Sequence, residues 1–370
     1  MSSNGQNKRL ELGVFLPIAQ NGFVTSSNAP AYYPSYEDNL AITLAAEKIG
    51  FDQVFSMAKW RGFGGRTQFW DASFESFSLM AALAAATRRI GLIATVNPLL
   101  FHPTLMSKMA ATVDHVSRGR LGLNIITGAI LGEYSQMGVI PPGYDNDRYT
   151  YAAEWIQTLK RLWTEPRVTH RGKYFQLEDC VSDPKPHRRP HPFLVCAASS
   201  DEGLRFTANE VDYSFISGRD IRELQRKALR AKELAVESNR TIKTAALLML
   251  VMGNTAQDAA EYWDHLVNGA DAEALHNAGW ALTKQTRAAA QKIGAERLAS
   301  DEKIFFGMAL RGSPEQIAPQ LIELVRGGDI DNLLLMFPDY LAGLNLFEAK
   351  LLPLLREAFD VGQNDVGGGS

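Results

Sequence analysis

Short apolar runs alternate with longer stretches in which apolar residues recur every three or four positions, and the alternation continues over most of the chain. Leu10 to Leu16 is an apolar-rich run stopped by Pro17, the signature of a buried strand. From Asp38 the period changes: Leu40, Ile42, Leu44, Ala45 and Ile49 recur at helical spacing, and Gly50 supplies a C-terminal stop. Phe51 to Met57, Ile90 to Val96 and Leu121 to Ile126 predict three more strands, with helices over Glu75 to Thr87 and Pro103 to Val116 between them. Strands separated by helices pair in parallel through right-handed crossovers, which leaves a doubly wound sheet or an eight-stranded barrel.

The later segments extend the count to eight. Asp147 to Trp163 reads as a long amphipathic helix with Tyr151, Trp155, Leu159 and Leu162 on one side. Phe193 to Ala197, Asp212 to Ile216, Ile242 to Met252 and Asn332 to Phe337 supply strands five to eight, with a helix opening at Asp201 and another over Ile221 to Ser238. This predicts an α/β fold, a single (β/α)8 TIM barrel over residues 1–360. Two stretches fall outside the repeat. Val168 to Leu177 alternates like a small hairpin, an insertion near 165–182, and residues 255–300 are helix-rich, polar and too long for one crossover. The second predicts a helical excursion over the barrel mouth. Residues 361–370, ending in Gly-Gly-Gly-Ser, read as a flexible tail.

Composition removes several classes of function. The 370 residues are 46% hydrophobic and 21% charged, globular values that exclude a disordered chain. Thirty-eight basic side chains against 41 acidic ones give a net charge of −3, which argues against nucleic acid or an anionic membrane as partner. Cys180 and Cys196 cannot form a disulfide framework, Met1 to Arg9 lacks a signal-peptide core, and no apolar run is long enough to span a bilayer. A cytoplasmic enzyme is expected.

In a barrel of this kind function sits where strands end. Those ends carry Lys59 and Arg61, Thr95 and Asn97, Asn124 and Thr127, and Ser199, Ser200 and Asp201. With no HExxH or CxxC and seven scattered histidines, no metal site is expected. Gly62-Phe63-Gly64-Gly65 matches neither the dinucleotide nor the P-loop pattern and reads as a flexible loop, but Lys59, Trp60, Arg61, Phe69 and Trp70 around it suit a planar, electron-rich ring. Asn124, inside an aliphatic strand, must find hydrogen bonds. Ser200 and Asp201 open a helix whose N–H groups cap locally or hold a phosphate, and Arg148-Tyr149, placed at a helix start, either clamps that phosphate or is a solvated charge. His102, ahead of Pro103, reads as structural for want of a partner carboxylate, and Cys196 as core.

The stretches Ser56 to Gly65, Phe69-Trp70-Asp71, Glu75-Ser76-Phe77, Leu123 to Gly128, Glu133-Tyr134, Gln136-Met137-Gly138 and Asp147-Arg148-Tyr149 resemble the bacterial luciferase-like flavin monooxygenases. Within that family the likeness is to pyrimidine monooxygenases of the uracil-ring-opening type, and it runs from Leu10 to Phe347. The resemblance implies a luciferase-like barrel that uses reduced FMN (FMNH2), supplied by a separate NAD(P)H:flavin reductase, with dioxygen as co-substrate, and a homo-oligomeric assembly. By that likeness Ala58 and Lys59 touch the flavin, Asn124 and Glu133 bind its polar edge, and Arg148, Tyr149 and Ser200 hold its phosphate. Thr95 and Asn124 would form the catalytic pocket where oxygen reacts, by way of a flavin peroxide or N5-oxide. Trp60, Phe69, Trp70, Asn97 and Ala129 would face the substrate.

One departure bears on that substrate. The pyrimidine enzymes look to have a tryptophan after the glycine of the strand-four motif, where this chain has Gly128-Ala129, and Ile130-Leu131-Gly132 is more apolar than its counterpart. Losing an indole opens space for a larger, flatter heterocycle. The expected reaction is therefore oxidative cleavage of a nitrogen heterocycle in a widened pocket. The alternatives are removal of the ribityl chain from riboflavin, a deazaflavin-dependent oxidoreductase, a flavin carrier without turnover, and a metal-free hydrolase.

Overall fold

The chain was analysed as a computed structural model that describes residues 8–128, 130–198, 200–282, 304–305 and 307–362. Eleven strands are described: β1 (Glu11–Phe15), β2 (Gln53–Phe55), β3 (Gly91–Val96), β4 (Leu121–Ile125), β5 (Val168–Arg171), β6 (Gln176–Cys180), β7 (Phe193–Ala197), β8 (Tyr213–Ile216), β9 (Lys243–Met252), β10 (Met308–Gly312) and β11 (Asn332–Met336). Eight of them close a parallel barrel in the order β1-β2-β3-β4-β7-β8-β9-β11, with β11 returning to β1. The apolar runs close it because both faces of each strand are covered, by the barrel interior on one side and helices on the other. Leu12, Val14, Leu92, Leu123, Leu194, Leu248 and Leu334 are all essentially inaccessible to solvent.

The helices begin and end where the local chemistry dictates. The first, α1 (Tyr36–Ile49), is capped by Ser35, which accepts the Asp38 N–H at 3.1 Å, and stops at Gly50 in the left-handed region. In α2 (Ser76–Ala86) the cap is the Glu75 carboxylate, which receives the N–H groups of Phe77 and Ser78. His102 caps α3 (Pro103–Ser117), its Nδ1 facing the Thr104 hydroxyl at 2.7 Å. A single turn, α4 (Gly132–Ser135), precedes α5 (Tyr144–Thr164), whose Trp155 and Trp163 are fully buried. Their indoles donate to the carbonyls of Phe101 and Ser107, which satisfies the polar atom of each large ring. Cys196 lies in the core, where burial pushes its thiol up to about 12.

Two features depart from the regular repeat. β5 and β6 form a separate antiparallel pair, held to α5 by Glu154, whose carboxylate accepts the N–H groups of Lys173, Tyr174 and Phe175. After α6 (Asp201–Glu210), α7 (Ile221–Glu237) and β9 come α8 (Ala256–Asn268) and α9 (Ala272–Leu282). The rest of the expected helical excursion, 283–300, and the tail beyond residue 362 lie outside the described residues. β10 is a strand the hydrophobic pattern did not single out. Leu248 and Met249 of β9 pair with β11 and also with β10, so β10 continues the edge that β8 occupies lower down. The helix Pro314–Gly328 then leads to β11.

Candidate active site

Four neighbouring strands, β2, β3, β4 and β7, end on one arc of the C-terminal face, and the residues expected to carry chemistry follow those ends. The parallel register sets Thr95 beside Asn124, so both side chains fall on one face of the sheet. Both are buried, and Asn124 Nδ2 donates to Thr95 Oγ1 at 3.0 Å. The Thr95 hydroxyl in turn donates to the Ser56 carbonyl, and the Thr95 N–H to Ser76 Oγ at 2.7 Å. A hydroxyl has one hydrogen, so toward Asn124 it can only accept. That fixes the Asn124 amide with its nitrogen toward Thr95 and leaves Oδ1 as a buried acceptor without a partner.

Asn97, at the end of β3, has the complementary arrangement. Its Oδ1 receives the Leu99 N–H at 2.9 Å, and its Nδ2 is a buried donor without a partner. The Tyr134 hydroxyl is close by; burial pushes the phenol up to about 12, and its contact with Asn97 partly offsets the rise. An unmet buried polar atom costs about 1–3 kcal/mol, and here one acceptor and one donor stand on adjacent strand ends.

Lys59 and Glu133 form an ion pair whose side chains are only 3% and 6% exposed. Glu133 Oε2 also accepts the Trp60 N–H at 3.0 Å, and Gln136 donates to the Trp60 carbonyl at 3.0 Å, which ties the β2 loop to α4. The ammonium stands 4.0 Å from the centre of the Phe63 ring and 5.3 Å from that of Trp70. Burial pulls the Lys59 pKa below its usual value, with the Glu133 carboxylate opposing. Ala58 is half-buried, and Trp60 and Arg61 are exposed at the rim. Phe69 is fully enclosed, packed with Phe63, Ala274 and Ala278, and Trp70 is half-buried with its indole donating to the Gly22 carbonyl.

A third group is built on α5 and α6. Ser200 caps α6 by accepting the Gly203 N–H at 3.1 Å, and the Tyr149 hydroxyl lies 3.5 Å from Ser200 Oγ. A Cβ at Gly203 would come within 2.7 Å of that phenol oxygen, so only glycine leaves the hydroxyl its place at the helix mouth. The Arg148 guanidinium lies over the Tyr149 ring at 4.8 Å. Asp201, which would repel an anion here, is ion-paired with Arg205 and Arg230. One correction follows: α5 starts at Tyr144, not at Asp147, so Arg148 and Tyr149, with the guanidinium and phenol expected of them, occupy its second turn. Ser199 and Ala129 lie outside the described residues.

Reading the chain alone did not assign Ser56, Ser76, Phe63, Tyr134 or Gln136 a part in this site. Ser56 and Ser76 follow a strand end and a helix cap, a position that could have marked them, but their mutual 2.5 Å contact depends on the fold. The isoalloxazine and phosphate ends of a flavin fit the donor set: a buried acceptor and donor at one end, and a guanidinium, a phenol and a capped helix mouth at the other. Among the described residues no group of three or more His, Cys, Asp or Glu could hold a metal ion, and no helix is long and apolar enough to cross a membrane. A cavity of about 570 Å³ between α7 and β10, bordered by Arg219, Trp263 and Arg311, contains none of these site residues.

Comparison with known proteins agrees with this architecture. Residues 10–330 match the family described as luciferase-like monooxygenase. A protein named pyrimidine monooxygenase RutA from Methylorubrum extorquens is 40% identical over 352 residues, covering 94% of this chain and 96% of its own. Another of that name, from Acinetobacter baylyi, is 37% identical over 360 residues, covering 95% and 96%. Among solved structures, a riboflavin lyase (RcaE) with modified FMN and riboflavin superposes with a TM-score of 0.84 at 22% identity, over 96% of this chain and 94% of its own. A long-chain alkane monooxygenase (LadA) also gives 0.84, at 17% identity, over 99% and 95%. A parallel barrel closed by eight strands, a strand-end site of this composition and a match over most of the length lead to one assignment: the chain belongs to the luciferase-like monooxygenase family.

Proposed function

We propose that this enzyme is a two-component monooxygenase that uses reduced FMN and dioxygen to cleave a nitrogen heterocycle of the pyrimidine type. One observation carries the reading: the unpaired Asn124 acceptor and Asn97 donor on adjacent strand ends match a ring edge that alternates N–H and carbonyl groups. Such an edge belongs to uracil and to the pyrimidine half of a flavin, and the relatives at about 40% identity bear the name pyrimidine monooxygenase. In this reading Ala58, Lys59, Asn124 and Glu133 hold the flavin ring, and Arg148, Tyr149 and Ser200 its phosphate. Thr95 and Asn124 shape the oxygen pocket, while Trp60, Phe69, Trp70, Asn97 and Ala129 bound the substrate, Phe69 from behind.

When bound, reduced flavin supplies the two electrons with which dioxygen is activated, one oxygen atom going to the heterocycle and the other to water. The protein orients the rings and keeps water out. The Thr95 hydroxyl, committed as a donor to Ser56, holds the Asn124 amide in one orientation, so its acceptor faces a ring N–H. The Lys59 ammonium stays charged beside Glu133 in a dry setting, where a positive charge favours electron-rich rings.

The experiment is a panel of heterocycles, from uracil to riboflavin, incubated with reduced FMN and oxygen and analysed by mass spectrometry. An oxygenated, ring-opened product supports the reading; consumption of none of them refutes it. Riboflavin is in the panel because an alanine stands at position 129, where the resemblance to the pyrimidine enzymes leads to the expectation of a tryptophan. Ala129→Trp is expected to penalise large substrates more than small ones, and equal effects on kcat/KM for uracil and riboflavin would remove the case for a wider pocket. Arg148→Ala is expected to weaken FMN binding by about 1.5–3 kcal/mol, the loss of a charge-assisted hydrogen bond. Titration by fluorescence quenching checks this, and an unchanged Kd would put the phosphate elsewhere. Tighter binding of a deazaflavin than of FMN would reassign the cofactor.

A further inference from the structure

The glycine-rich loop after β2 is not loose, and what anchors it lies far along the chain. Asp271, 3% exposed at the start of α9, accepts the Thr67 N–H at 2.7 Å and the Thr67 hydroxyl at 2.8 Å. It also accepts the Ala274 N–H at 3.1 Å, and its own N–H donates to the Thr25 carbonyl at 3.0 Å. Asp271 thus joins three segments distant in sequence, its carboxylate tying the Thr67 loop to α9 and its backbone N–H tying α9 to Thr25. Gly65, with φ +74°, packs directly on it: a Cβ there would stand 2.6 Å from Asp271 Oδ2 and 2.8 Å from the Ala274 nitrogen. Asn277, on the same helix, donates to the Phe63 carbonyl at 2.8 Å, and Ala274 and Ala278 close over Phe63 and Phe69.

The same loop carries the rings that cover Lys59. Phe63, fixed through its carbonyl and its packing, holds its face 4.0 Å from the Lys59 ammonium, on which Glu133 also acts. We propose that Asp271 is a positioning residue of the active site: by clamping Thr67 it sets the Phe63–Trp70 layer that a planar heterocyclic substrate meets and that shields the Lys59 ammonium from solvent. The role is confined to the substrate side, since Lys59 keeps its place through the Glu133 ion pair and, among the described residues, no hydrogen bond links Arg148, Tyr149 or Ser200 to α9. The inference rests on the functional reading above only for the identity of the substrate.

Two readouts separate the proposal from that reading. The first needs no turnover: reductive methylation of the full-length protein, with lysines mapped by mass spectrometry. Lys59 is expected to resist labelling in the unmodified protein and to label in Asp271→Ala, with Asp271→Asn in between because one amide oxygen can still accept from Thr67. The second is kinetic: in Asp271→Ala the KM for whichever heterocycle the panel identifies rises on the order of tenfold to a hundredfold, while kcat and the Kd for reduced FMN stay nearly unchanged. Persistent protection of Lys59 in a folded Asp271→Ala variant, or a loss of FMN affinity parallel to the KM rise, would overturn the proposal. If Asp271→Ala does not fold, Thr67→Val removes the hydroxyl contact alone and is expected to expose Lys59 partially; full protection there overturns it equally. A panel with no turnover fails the functional reading and leaves the labelling result to decide on Asp271.

Discussion

Glu133→Gln is expected to destabilise the fold by about 3–5 kcal/mol at neutral pH, the cost of leaving one partner of a dry ion pair behind. The glutamine oxygen can still accept a hydrogen bond, but it returns no charge to an ammonium enclosed by Phe63 and Trp70. Lysine then escapes by releasing its proton. Burial already draws the Lys59 pKa down and Glu133 opposes the shift, so removing the carboxylate lets it fall further. With the folded value below that of the unfolded chain, the unfolded state holds more protons between the two, and stability rises with pH across that interval. The variant should therefore regain stability from neutral pH toward the ordinary lysine pKa of about 10.4, more steeply than the unmodified protein. Urea denaturation at a series of pH values measures this. The pair Lys59→Met with Glu133→Leu, which removes both charges, should recover most of the loss. A single-variant cost below about 1 kcal/mol with no added pH slope would mean the pair is solvated like a surface bridge.

Thr95→Val should leave a folded protein whose oxygenation is slowed on the order of a hundredfold to a thousandfold, the scale of losing one preorganised hydrogen-bonding group in an active site. The valine keeps the shape but neither donates to Ser56 nor accepts from Asn124. With its nitrogen unpaired, the Asn124 amide is no longer held in one orientation, and the acceptor that faces the ring is lost for part of the time. The two buried groups left without partners cost about 1–3 kcal/mol of stability each as well. Reduced FMN should still react with oxygen, so the loss should show as hydrogen peroxide released in place of product, with little change in FMN affinity. Thr95→Ser restores the hydroxyl and should restore coupling. Normal coupling in the valine variant would remove Thr95 from the chemistry.

The barrel itself was legible because its signal is local. Each strand from β1 to β11 that belongs to the closed ring is an apolar run, and the end of each run is set by a glycine, a proline or a polar cluster within a few residues. β10 escaped because Met308 to Gly312 is short and interrupted by Arg311, whose guanidinium lies over the Trp263 ring of α8. The site divides in the same way. Asn124, Arg148 and Ser200 announce themselves, being polar groups in an apolar strand, an aromatic-flanked helix and a helix cap. What no local pattern shows is pairing across the fold. Lys59 and Glu133 are 74 positions apart, and Thr67 and Asp271 are separated by 204. Hence Gly62 to Gly65, which reads as a flexible loop, is fixed at both ends by groups the periodicity cannot locate.

β9 runs for ten residues, against four in β8 and five in β11. Along one edge its lower part pairs with β8 and its upper part with β10, while β11 holds the other edge from Ala245 to Met249. Closure toward β8 and elaboration by β10 thus use successive parts of one strand edge. The excursion that follows Met252 therefore leaves the β8–β9–β11 ladder intact beneath it. This makes the top of β9 a graft point for evolution. Because Asp271 reaches the active-site loop from that same graft, a new rim would arrive with its own grip on the substrate.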